Sequence, residues 1–423
     1  MTTTTPRPAP ELPTRAGRSP ATGPSPDTEP SPSSRVGHHA GFWVVAGAFL
    51  VAMAFSTVPT PLYPLYQARD GFATTMVTVI FASYAVGVMA ALYLVGHVSD
   101  WVGRKPVLVL SLAAEIVAAV LFLVWNDTAG LIVARLVCGL GIGALTATAT
   151  AHLGELGEVA GRGRTAGTVA TVVNLGGLAL GPLVGGLLAQ YVAGPLVTPY
   201  VVFGILLAVA LVAVVLVPET AVLPEARPAY RPQRVSLPRA ARAPFAVAAA
   251  GAAAAFSVLG FFTSLTASFA AGTLHVTSHL AAGAIVFGVM GAAAASQLVF
   301  ARVGARAQVV LGGALMVAGL ALVAVSGPTL SLALFVVGGV VAGAGQGLVF
   351  RSAIGVALGS AAPENRSEVL AAMFLVAYAG LTLPVVAVGV ALAHFGAAGV
   401  LSVFAVVVLV AVAASSALML RRR

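Results

Sequence analysis

From about residue 42 to about residue 420 the chain is a succession of apolar runs, each near 20 residues long and parted by short polar breaks. Helical runs of that length cross the ~30 Å hydrocarbon core of a bilayer. Twelve are predicted, at about 42–66, 73–97, 106–125, 129–152, 165–190, 198–217, 245–271, 278–300, 307–326, 329–357, 367–392 and 396–420. Residues 1–40 break the pattern. They are rich in Pro, Thr and Ser, carry Arg7, Arg15, Arg18 and Arg35, and hold no apolar stretch of the kind a secretory signal needs. They read as a disordered cytoplasmic tail. The predicted fold class is an all-α polytopic membrane protein with 12 transmembrane helices.

Composition agrees. The 423 residues are 59% hydrophobic and 8% charged, too little charge to dress a soluble surface. The 47 glycines suit helices that approach closely in lipid. The net charge of +9 does not point to nucleic acid, because the basic residues lie between apolar spans and form no aromatic-studded patch. They set topology instead. With the N-terminus inside, the inner loops hold Arg104, Lys105, Arg162, Arg164, Arg227, Arg231, Arg234, Arg239, Arg242, Arg302, Arg306 and Arg366, and the C-terminus holds Arg421, Arg422 and Arg423. The outer loops hold only Arg69. Both termini are therefore expected on the cytoplasmic side of the cell membrane. The single cysteine, Cys138, permits no intrachain disulfide.

A Pro- and Arg-rich stretch, 218–244, divides the spans into six and six, giving halves at 41–217 and 245–423. The halves echo each other. Gly181-Pro182 and Leu383-Pro384 lie 202 residues apart, as do Arg164 and Arg366, and Gly141 and Gly143 map onto Gly343 and Gly345 at that offset. Such repeats suggest a pseudo-symmetric transporter.

Three motifs sharpen this. Between the second and third spans lie Gly96, Asp100, Gly103, Arg104 and Lys105, and basic residues alone would satisfy topology without the aspartate. On the fifth span are Gly177, Gly181, Pro182, Gly185 and Gly186, three of them four residues apart as one smooth stripe. On the fourth span Arg135 precedes Gly139, Gly141 and Gly143. Together with the six-plus-six plan, these resemble motifs A, C and B of the major facilitator superfamily, over about residues 42–420. The resemblance implies alternating access. The motif A loop would lock the cytoplasmic gate, with Asp100 against the start of the eleventh span near Ser367 and Arg104 paired with Asp100 or Glu155. The second half has Ala301 where the aspartate would fall, so the lock is expected on one side only. The motif C stripe implies contact with the eighth span and leans toward antiport and export; close packing is the alternative. Arg135 implies proton coupling; the alternative is an arginine snorkelling to the nearer surface, about six residues or 9 Å away.

Glu115, mid-way along the third span, is the only carboxylate placed deep in the membrane. Desolvation penalises its ionised form, so Glu115 and Arg135 are candidates for a proton-coupling pair, or else for a structural tie between the third and fourth spans. The resemblance places the cavity among the first, fourth, seventh and tenth spans. Candidates there are Thr57, Thr60, Tyr63, Thr146, Ser257, Phe261, Ser264 and Gln346, with Tyr84 and Asn174 nearby. They carry no formal charge and suit a neutral or cationic amphipathic compound. Arg351 reads as an interfacial anchor.

No Walker A sequence, dinucleotide fingerprint or catalytic triad spacing occurs, so no enzyme activity, cofactor or metal is expected. The expected function is proton-coupled efflux of drug-like or amphipathic small molecules. An uncoupled or importing facilitator for sugars or other metabolites, and a transporter-like receptor or scaffold, stay open. Expected partners are the small-molecule substrate, protons and the lipid bilayer, without nucleic acid, and the chain is expected to be a monomer. The lock makes a prediction. Asp100→Asn should weaken the outward-open state and cut transport while the protein still reaches the membrane. Flux assays beside a membrane-fraction blot check this, and normal flux rules the lock out.

Overall fold

The computed structural model describes residues 37–221, 230–231, 239–359, 361 and 366–421. The predicted tail up to residue 36 and most of the linker lie outside the described residues. The first crossing is composite: α1 (His38–Thr57), a 3-10 turn (Thr60–Leu62) and α2 (Tyr63–Asp70). Pro59, Pro61 and Pro64 cause the break, because each removes a backbone donor and stiffens the chain. The remaining elements of the first half are α3 (Thr74–Leu94), the single turn α4 (Ser99–Val102), α5 (Arg104–Val124), α6 (Thr128–Val159), α7 (Gly163–Tyr191) and α8 (Thr198–Val215). The second half has α9 (Arg239–Gly272), α10 (His279–Val299), α11 (Ala305–Ser326), α12 (Leu332–Gly359), α13 (Arg366–Leu392) and α14 (Ala397–Arg421). Among the described residues there are no strands, and 12 crossings are long and apolar enough to span a bilayer. Helix α9 starts at Arg239, so the last residues of the predicted linker are helical. Pro244, the sixth residue of α9, removes the donor that would bond the carbonyl of residue 240, one turn from the helix start.

Successive crossings alternate in direction, so the molecule has two ends. One carries α4, Arg162, Arg302, Arg306 and both ends of the linker, and is called the basic face here. Buried side chains gather into two large clusters. One comes from α1–α8 and the other from α9–α14, the latter joined by Phe81 and Ala85 of α3.

Glycines set the distances between helices. A Cβ on Gly87 of α3 would lie 3.0 Å from the Cα of Gly139 on α6, and one on Gly139 would overlap the Tyr84 carbonyl. The two halves touch in the same way: Gly283 of α10 lies against the Pro182 carbonyl, and Gly186 of α7 against that of His279. In lipid, where burial of apolar surface drives little, such approach supplies the packing.

The half-to-half register differs from the predicted offset. Gly139 and Gly143 face α3, and Gly141 faces α5. Their counterparts by contact are Gly343 and Gly347, which face α10, and Gly345, which faces α11. The offset on this helix is therefore 204, not 202. An error of two residues turns a helix by roughly 200°, which no composition pattern in a glycine-rich span reveals.

Gly139→Ala should destabilise the protein by about 1–3 kcal/mol through overpacking. Gly47→Ala, with nothing within 4 Å of the added carbon, should not. Thermal melting in one detergent compares the two.

Candidate functional site

Between the halves lies a cavity of about 200 Å³. The first half contributes Ser56 and Thr57 of α1, Phe81 and Tyr84 of α3, Arg135 and Thr146 of α6, and Asn174 of α7. The second half contributes an aromatic wall. Phe256 of α9 lies 4.7 Å from Phe350 of α12 and 5.6 Å from Tyr378 of α13, and Phe374 of α13 lies 5.9 Å from Phe350. Gln346 and Gln297 add amides. The lining reaches Gln297 and Phe374, near the basic-face ends of α10 and α13. At the other end the halves are tied. Thr75 donates to the Gly389 carbonyl at 2.7 Å, Ser268 to Gln67 Oε1 at 2.8 Å, and the His279 amide to Gln190 Oε1 at 3.0 Å.

Arg135 is the only charged residue of the lining. It is 1% exposed, so it does not snorkel. Its position follows from the proline break in the first crossing. Helix α1 ends mid-membrane and leaves carbonyls without helical partners. Arg135 Nη1 donates to one of them, the Ser56 oxygen. A cation at a helix C-terminus also meets the negative end of the helix dipole. The guanidinium stacks 4.8 Å from the Tyr84 ring centroid and 5.8 Å from that of Phe81. Its Nε has no partner. The lining was expected to carry no formal charge; the buried guanidinium corrects that.

Glu115 of α5 is fully buried but lies outside the cavity lining. Its carboxylate packs against Gly141 with the Cys138 thiol as its hydrogen-bonding neighbour, and no N–H or O–H donor reaches either oxygen. It forms no ion pair with Arg135; among the described residues the ion pairs are Arg69–Asp70, Arg104–Asp100 and Arg104–Glu155.

Of the other cavity candidates, Thr57, Tyr84, Thr146, Asn174 and Gln346 line it. Thr60 and Tyr63 do not: both are 1% exposed, with Tyr63 next to Arg135. On α9 the predicted stripe Ser257, Phe261 and Ser264 points elsewhere. Ser257 donates to the Gly380 carbonyl at 2.9 Å, Phe261 stacks 5.1 Å from Phe404, and Ser264 donates to Gly260 at 2.7 Å. The cavity face is Phe256, Leu259 and Thr263, about one residue or 100° around the helix. Lipid and protein interior are equally apolar, so hydrophobicity gave no cue to which face turns inward.

The glycine stripe of α7 is also corrected. Gly177, Gly181 and Gly185 lie against α1, at Leu50, Ala54 and Val58, and not against the eighth crossing. Of the five motif residues, Gly186 and Pro182 do meet α10, the eighth crossing, where Ala179, Leu183 and Gln190 join them. Residues four apart share one face, and Gly186 is turned about 100° from it. Thr57 reinforces the α1 contact by donating to the Leu178 carbonyl at 3.0 Å.

A second polar centre lies at the basic face. Arg104 pairs with Asp100 and, at 2.9 Å, with Glu155 of α6, and donates to Ser99 at 2.8 Å. Gly96 lies in the turn between α3 and α4. Gly103 has φ +111°, a conformation that favours glycine, and packs against Glu219. Glu219, missed in the sequence, caps α5: its carboxylate accepts the amides of Arg104 at 3.0 Å and Lys105 at 2.9 Å. Thr220 bridges Glu155 and His152, and Tyr230 donates to the Leu94 carbonyl at 3.1 Å and stacks on His97. The start of the linker is thus fastened to the Asp100 loop. Asp100 remains largely exposed, with Arg104 as its partner, and the Ser367 side chain lies outside the described residues. In the second half Arg351 donates to the Gln297 carbonyl at the end of α10 at 2.9 Å and to the Ala301 carbonyl in the following loop at 3.4 Å.

The Major Facilitator Superfamily profile matches residues 44–383. The chain belongs to this superfamily. An uncharacterized MFS-type transporter of Mycobacterium tuberculosis is 30% identical over 152 residues, 36% of this chain and 22% of that protein. A triacylglyceride transporter of Mycolicibacterium smegmatis is 33% identical over 109 residues, 26% of this chain and 19% of its own. The match thus spans about a fifth of either relative. Among solved structures, the human organic anion transporter MFSD10 superposes with a TM-score of 0.65 at 18% identity, over 90% of this chain and 100% of its own. The nucleoside transporter NupG gives 0.70 at 15% identity, over 89% and 99%. These likenesses establish the fold. The chain is thus a member of the superfamily with 12 candidate membrane crossings among the described residues.

Glu219→Ala should cost on the order of 0.5–1 kcal/mol, the low end for a helix cap because the group is exposed. It should also speed tryptic cleavage after the linker arginines. Limited proteolysis with timed sampling measures both the linker's release and the survival of the core.

Proposed function

We propose that this protein is a proton-coupled secondary transporter that exports amphipathic small molecules by alternating access. The observation that carries the reading is the cavity between the halves, tied shut at one end and lined toward the basic face at the other. The basic residues support placing that face in the cytoplasm and both termini inside the cell membrane. The described conformation then corresponds to a site approached from the cytoplasm. The Arg104 cluster supports a gate on that face, and the glycine-rich α7, which meets both α1 and α10, supports a rocking surface between the halves. The mycobacterial relative that carries triacylglycerides fits an amphipathic cargo. The monomer is the proposed working unit.

Glu115 is the proposed proton carrier, because a buried carboxylate that no N–H or O–H donor reaches gains from binding a proton. One observation favours a second reading, an uncoupled facilitator: Glu115 forms no ion pair with Arg135 and stands outside the cavity. Proteoliposomes separate the two. Dye uptake into inverted vesicles should follow an imposed proton gradient, and Glu115→Gln should abolish substrate-driven proton movement while binding persists. Unchanged proton flux in the variant removes Glu115 from coupling, and flux indifferent to the gradient favours the facilitator.

A further inference from the structure

The central cavity holds one formal charge, that of Arg135, and no acid lines it. A buried cation is costly in a membrane, and such groups are retained for function. Here the cost is offset only in part. The α1 C-terminus supplies one carbonyl and about half a unit of opposing charge. The Tyr84 and Phe81 rings add weaker attraction. The Nε hydrogen of Arg135 remains unpartnered and buried. Across the cavity, Gln346 is 6% exposed, and its Oε1 is an acceptor without a donor. The wall of the second half carries the rings of Phe256, Phe350 and Phe374 among aliphatic side chains such as Leu259, Met290 and Leu381. An occupant that satisfies all three features brings an anionic acceptor, a flat apolar body and a hydrogen-bond donor.

We propose that the cavity selects amphipathic organic monoanions, aromatic carboxylates or sulfonates, with Arg135 holding the anionic group, Gln346 accepting from a donor on the body, and the phenylalanine wall packing on the ring system. This rests on the transporter reading for its physiological use, but the binding itself does not. A planar fork of donors matches a carboxylate in a way an ammonium does not. The same guanidinium opposes a cation by like-charge repulsion at low dielectric. A neutral analogue keeps the stacking and loses the charge-assisted bonds. A volume of about 200 Å³ suits one or two fused rings.

The test uses the full chain in phosphatidylcholine nanodiscs, with empty discs subtracted, and calorimetric titration of three matched probes: 6-hydroxy-2-naphthylacetate, its amide and the corresponding naphthylethylammonium. The carboxylate should bind at least tenfold tighter than the amide, and the ammonium weakest. Arg135→Gln should lose most of that tenfold preference, and Arg135→Lys should keep part of it. Gln346→Leu should weaken the hydroxylated carboxylate several-fold more than the same compound without the hydroxyl. Equal or tighter binding of the ammonium by the unmodified protein overturns the proposal, whether or not the Arg135 variants fold. So does a carboxylate preference that survives in a folded Arg135→Gln. Carboxylate binding without flux in proteoliposomes would sink the transport reading and leave this one standing; flux of neutral dyes without carboxylate binding would do the reverse.

Discussion

In a bilayer the backbone must satisfy itself, and apolar side chains gain little by leaving lipid for one another. What holds these helices at fixed distances is close backbone approach at glycine. Gly87 and Gly139 bring α3 onto α6, Gly177, Gly181 and Gly185 bring α7 onto α1, and Gly312 and Gly345 bring α11 onto α12. These contacts leave no room for a methyl group, so each also fixes a register. The α3–α6 register places Arg135 over the Tyr84 ring, and the α1–α7 register presents Thr57 to the Leu178 carbonyl. The cavity is a consequence of distances set elsewhere.

The two polar centres differ in physical regime. The Arg104 cluster lies at the basic face, where each ion pair is partly exposed and contributes about 0–1 kcal/mol. Its importance is geometric. One guanidinium joins α4, α5 and α6, and Glu219 and Thr220 extend the junction into the linker. Arg135 is dehydrated and has no acid beside it, and a broken helix stabilises it. The first centre is a joint between elements; the second is a single charge in the lining of the cavity.

The halves share a scaffold and divide the chemistry. With the contact register of α6 and α12 aligned, Arg135 falls on Gly339, and Met316 packs on Gly345 as Glu115 packs on Gly141. The buried carboxylate and the buried guanidinium among the described residues, Glu115 and Arg135, thus both belong to the first half. The loops follow suit. The first half uses a charged cluster at Asp100, while the second has Ala301 and a tie from Arg351 to backbone carbonyls. The frame is pseudo-symmetric and its buried formal charge is one-sided.

The sequence by itself determined the class and the number of crossings, because bilayer thickness imposes a length on every apolar run. It also offered Asp100 or Glu155 as the partner of Arg104, and Arg104 pairs with both. Facing was another matter. A helix in lipid can turn an apolar residue toward lipid, a neighbouring helix or a cavity with little change in energy. The sequence therefore could not separate Phe256 from Ser257 on α9, or predict that the α7 glycines meet α1. It also missed Glu219, whose role depends on the linker folding back over α5. Only the tertiary structure brought a proline-broken helix end to Arg135, because that pairing joins residues 79 positions apart whose separation depends on the glycine contacts between three helices.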